Sequence, residues 1–188
     1  FSGNLWKGIS IDDIATEVTW IYNNTISTST SSATGFGVFV DDPAEKVTIS
    51  NNTITDFSNG NGIDIQTTKS GISITGNTLN GNNKGVYLNP TYIGDQAQTN
   101  ITINSSNVIY DNTIGIDIDA TFVVGQSATD VILVNDNSIY DNTTSGLDVA
   151  NVTTNSTPNY KYLNAESNWW GDTDGPSDAT FYGTGPNL

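Results

Sequence analysis

The sequence predicts an all-β fold, a single-stranded solenoid in which about six coils of short parallel strands stack around one tubular core. Two interleaved repeats and the absence of any helical periodicity lead to that expectation. In the first repeat, an apolar pair flanking one residue is followed by Asn and a further apolar residue. It runs Val47, Ile49, Asn52, Ile54, then Ile72, Ile74, Asn77, Leu79, then Ile101, Ile103, Asn107, Ile109, then Ile132, Val134, Asn137, Ile139. The second repeat is Gly followed by an apolar pair flanking one residue, beginning at Gly8, Gly37, Gly62, Gly85, Gly115 and Gly146.

The Asn anchors Asn24, Asn52, Asn77, Asn107, Asn137 and Asn168 are spaced by 28, 25, 30, 30 and 31 residues, and the Gly anchors by 29, 25, 23, 30 and 31. Each unit holds two β-branched stretches with period-two alternation, separated by Gly, Asn, Asp and Thr turns. Strands this short cannot bury an apolar face alone, so the coils must stack, about 4.8 Å apart, into a rod roughly 30 Å long. The coils are read as 4–16, 17–45, 46–68, 69–99, 100–129 and 130–160, with a closing segment 161–188, all in one domain spanning 1–188. Stacking places the six anchor asparagines in one column, where each amide can donate to one neighbouring coil and accept from the other, a structural ladder. In the same register Trp170 takes the inward place of Ile139 and plugs the last coil.

With these residues in view, the chain resembles the right-handed parallel β-helix repeat family, which includes pectate lyases, polysaccharide epimerases and many microbial surface proteins. The ending Ala165-Glu166-Ser167-Asn168-Trp169-Trp170-Gly171-Asp172-Thr173-Asp174-Gly175-Pro176 resembles the closing segment of such helices in surface proteins. The resemblance implies right-handed coiling. It also implies that any sugar chemistry lies on the outer face of one sheet, with an Arg or Lys base beside bound calcium, or with a pair of acids. This chain has neither Arg nor His, so the family's usual constellations do not map onto it. The expectation is a protein that is not an enzyme and has no catalytic residues. Its expected role is that of a structural module of the cell surface (surface layer, adhesin or filament subunit) that self-associates or contacts neighbouring domains of a longer polypeptide. The alternative is a carbohydrate-active or carbohydrate-binding β-helix, of lyase or hydrolase type.

Composition agrees with an extracellular location. Asn, Thr and Ser make up over a third of the 188 residues, as in exposed β-solenoids. Twenty acidic side chains against five lysines give a net charge of −15, which disfavours nucleic acid and anionic membranes as partners. No apolar run reaches the length of a membrane span. The chain opens at Phe1 without an initiator Met, as a mature or excised segment would.

Four sets of surface residues are candidates for function. Outward positions of the Gly-anchored strands bring Asp117 and Asp148 onto adjacent coils, with Asp119 on the same face and no Lys expected nearby; a hard cation such as calcium suits that oxygen set. Asp12 and Asp41 form a second, smaller acidic group. Apolar outward residues suited to an interface are Trp20 and Leu133 in the Asn-anchored column, together with Tyr92 and Phe122 in the long loops 89–99 and 119–129. Tyr110 and Tyr140 repeat at another outward position and suit a sugar. Asn151 and Asn155 carry glycosylation sequons in the 150–160 loop.

Overall fold

A computed structural model of the chain describes residues 7–12, 18–29, 34–41, 46–66, 71–89, 101–119, 121–122, 132–149, 153–154 and 163–171. Among them there is no helix, and the strands form an all-β parallel solenoid. The first sheet stacks β1 (Lys7–Asp12), β4 (Phe36–Asp41), β7 (Asn61–Ile65), β10 (Lys84–Leu88), β13 (Ile114–Ile118) and β17 (Ser145–Asp148) in that order. A second sheet stacks β2 (Thr19–Tyr22), β5 (Val47–Ser50), β8 (Ile72–Thr75), β11 (Ile101–Asn104), β15 (Ile132–Val134) and β19 (Leu163–Asn164). The third holds β3 (Thr25–Ser27), β6 (Thr53–Thr55), β9 (Thr78–Asn80), β12 (Val108–Tyr110) and β16 (Ser138–Tyr140). A short pair of β14 (Thr121–Phe122) with β18 (Thr153–Thr154) lies apart from these.

Register follows the sequence repeat. Val38, Ile63, Val86, Ile116 and Leu147 pair down the first sheet, and Ile54, Leu79, Ile109 and Ile139 down the third. These columns point inward and form one core with Val47, Ile49, Ile72, Ile74, Ile101 and Ile103 of the second sheet. Where each strand of the first sheet begins, the coils approach too closely for a side chain. A Cβ on Gly115 would lie 2.5 Å from the Gly146 carbonyl oxygen, so only glycine fits there. Trp170 packs against the core at the far end, and its indole would touch a Cβ built on Gly146 at 3.2 Å.

Two corners of the coil share one construction. At the corner between the second and third sheets, a residue with left-handed φ precedes each ladder asparagine: Asn23, Asn51, Gly76, Ser106, Asp136 and Ser167. At the corner between the third and first sheets, Asp56, Gly81, Asp111 and Asp141 have the same conformation and precede Phe57, Asn82, Asn112 and Asn142. Asn, Asp and Gly tolerate that region best, which explains why the chain is rich in them.

The asparagine column forms the ladder expected. Nδ2 of Asn24, Asn52, Asn77, Asn107 and Asn137 donates to Oδ1 of the next anchor at 3.0, 3.0, 3.0, 2.8 and 3.0 Å, ending on Asn168. Each Nδ2 from Asn52 onward also donates back to a carbonyl of the preceding coil, on Ile21, Ile49, Ile74, Ile103 and Val134. A second ladder, which the sequence reading missed, joins Asn82, Asn112 and Asn142 at 3.0 Å per step. Phe57 replaces its next member, and the Phe57 backbone N–H donates to Asn82 Oδ1.

Candidate functional site

The outer face of the first sheet carries a cluster of charged side chains drawn from several coils. Its central outward column pairs Ser10, Phe39, Asp64, Tyr87, Asp117 and Asp148 on successive coils. Alternation puts these side chains outside the core and suggests a solvated acidic stripe. The structure corrects that expectation, because Asp64 is 1% exposed and Asp117 8%. Pointing away from the core does not leave a side chain in water when neighbouring groups on the same face cover it.

Each buried carboxylate is held differently. Asp64 Oδ2 accepts from Asn61 Nδ2 at 2.6 Å, and Oδ1 accepts from Gln66 Nε2. Burial pushes its pKa above 3.8, against the lowering effects of those two amides and of the more distant Lys84 and Lys7 charges. Asp117 Oδ2 lies 2.7 Å from Lys84 Nζ. Its pKa is also raised by burial, with Lys84 opposing and the charges of Asp148 and Asp119 adding to the rise. Lys84 Nζ sits 3.4 Å from the centre of the Tyr87 ring, and Tyr87 Oη donates to Asp119 Oδ2 at 3.2 Å. Burial first, then Asp119, drives the Tyr87 pKa upward, so this phenol keeps its proton and serves as a hydrogen-bond donor.

Lys84 corrects one premise of the calcium expectation at Asp117, Asp119 and Asp148, namely that no lysine lies nearby. Its ammonium contacts Asp117, and Tyr87 donates to an oxygen of Asp119. Among the described residues, no three carboxylates, histidines or cysteines are placed to hold a metal ion. Asp12 and Asp41 pair on adjacent strands, with Asp12 exposed and Asp41 half-buried.

The interface candidates separate. Trp20 is 62% exposed on β2, beside Tyr22 at 59% and Val18 at 47%, whereas Leu133 is half-buried. Tyr92, Asn151, Asn155 and the side chain of Phe122 lie outside the described residues. Tyr110 and Tyr140 stack on each other at 5.3 Å and 6°, and Tyr140 meets Trp169 at 5.2 Å. Rings that face one another tie adjacent coils together.

No described helix is long and apolar enough to cross a membrane. Neither a curated protein nor a solved structure matches the chain. The family model for the right-handed beta helix region matches residues 1–169, and the chain belongs to that family.

Proposed function

We propose that the chain is an extracellular structural module of a cell surface, a surface-layer, adhesin or filament unit, that acts by self-association and is not an enzyme. The observation that carries this reading is the patch of Trp20 and Tyr22 on β2 with Val18 just before it, three large apolar side chains exposed at alternate positions in sequence. A solvated monomer has no use for such a strip, whereas a contact between copies buries it. The groups best suited to chemistry are engaged internally: Asp117 with Lys84, Asp64 with two amides, and Asp119 with Tyr87. The closing segment supports the same reading through its resemblance to surface proteins.

Burying one aromatic at such a contact contributes about 2 kcal/mol, or roughly 30-fold in affinity. Sedimentation or light scattering across a concentration series is expected to show association of the wild type that Trp20→Ser weakens by about that factor. Wild-type chains that stay monomeric throughout the series would remove the basis for this role.

A second reading, carbohydrate binding or cleavage, is favoured by one feature. Lys84, Tyr87 and two carboxylates converge on a single outer face, the combination of cation, ring and acids that acidic sugars engage. Release of unsaturated products from an anionic polysaccharide, lost in Lys84→Ala, is the result that would favour it.

A further inference from the structure

We propose that Asp64 is a proton-operated stabiliser built into the outer face of the first sheet, so that the rod gains stability as acidification protonates this carboxyl. The inference goes beyond the structural role above and is independent of it. Asp64 is almost wholly buried, and both of its oxygens accept hydrogen bonds from neutral amides, those of Asn61 and Gln66. The lysine of the adjacent strand gives its close contact to Asp117, two coils from Asp64. A charge placed there has lost its water without gaining a full counter-charge, so folding favours the neutral acid. Protonation need not break the arrangement. Either amide can rotate to present its oxygen to the new O–H, since each carries an acceptor as well as donors.

The surrounding charges do not reverse this preference. The strand on one side of Asp64, β4, faces it with Phe36, Phe39 and, farther along, Asp41. On the other side β10 contributes Lys84 and Tyr87. Beyond those strands, Lys7 sits 3.5 Å from the centre of the Phe39 ring, and Asp12, Asp117, Asp119 and Asp148 are further acids. Acids outnumber lysines on this face.

The sign of the pH dependence follows by linkage. The Asp64 carboxyl has a higher pKa when folded than the ordinary 3.8, so over the interval between the two values the folded chain holds a proton that the unfolded chain has lost. Its stabilising contribution is complete below 3.8 and is lost as pH rises through the folded value. Asp117 acts in the same direction, moderated by Lys84. The net charge of −15 adds a general repulsion that also eases on acidification, but salt screens that repulsion and leaves a buried carboxylate largely untouched.

The test is the melting temperature between about pH 8 and pH 4 in high salt, for the wild type, Asp64→Asn and the exposed control Asp136→Asn. The expected result is a rise of several degrees on acidification in the wild type and in Asp136→Asn. Asp64→Asn should melt higher than wild type at the alkaline end and rise less. A wild-type melting temperature that is flat or falls on acidification, or an Asp64→Asn variant with the wild-type slope, overturns the proposal. If Asp64→Asn does not fold, the side-chain carboxyl ¹³C shift of Asp64 in the wild type reads the same proton. A midpoint above 3.8 supports the proposal, and one at or below 3.8 overturns it.

Discussion

Asn107→Ala is expected to lower stability by about 3–5 kcal/mol, a large part of what a single domain has. Asn107 is fully buried, and its Nδ2 donates to Ile74 O, Asn104 O and Asn137 Oδ1. Its Oδ1 accepts from both the backbone N–H and Nδ2 of Asn77. Alanine fills none of these roles. The Asn77 N–H and the Asn137 Oδ1 lose partners in a place water does not reach, and each such loss costs about 1–3 kcal/mol. Urea unfolding followed by circular dichroism measures the effect. A loss below about 1 kcal/mol would mean that the ladder is incidental to the fold.

Ile116→Asp is expected to be more damaging still, at about 4–5 kcal/mol or more, enough to leave the chain unfolded or insoluble. Ile116 has no exposed surface and stacks between Val86 and Leu147 on the inward column. A carboxylate there meets only aliphatic side chains and has no cation or donor to offset its desolvation. The neighbouring outward residue, Asp117, shows how fully the outcome depends on register, because a shift by one residue exchanges the two faces. A soluble Ile116→Asp variant with an unchanged spectrum would refute the register.

Much of the fold could be read from the sequence because a solenoid repeats the same demands in every coil. Inward aliphatics recur with period two, and one asparagine recurs at one corner, so six weak signals add to one strong one. The second ladder was harder to see. It has three asparagines, Asn82, Asn112 and Asn142, and a phenylalanine, Phe57, where the pattern would have extended.

The outer face of the first sheet was less legible, for two physical reasons. Strict alternation back from Tyr87 would turn Lys84 inward, yet its ammonium meets Tyr87 and Asp117 on the outside. Gly85 accounts for the change of phase, since a Cβ there would point at Ile109 Cγ2, 2.9 Å away in the core. The lysine beside Asp117 therefore becomes visible only in three dimensions. The second reason is that alternation says which side of a sheet a residue occupies and nothing about what covers it. Asp64 and Asp117 are outward as expected and buried nevertheless.

Trp20 shows the converse case, an outward apolar residue at one end of a column whose middle is polar, which stays exposed together with its neighbours Val18 and Tyr22. The proposed structural role rests on that strip. Electron microscopy of the native material tests it most directly. The expected result is an ordered filament or lattice in which the β2 face of each rod is buried against a neighbour. Uniformly dispersed rods with that face open to solvent would contradict it.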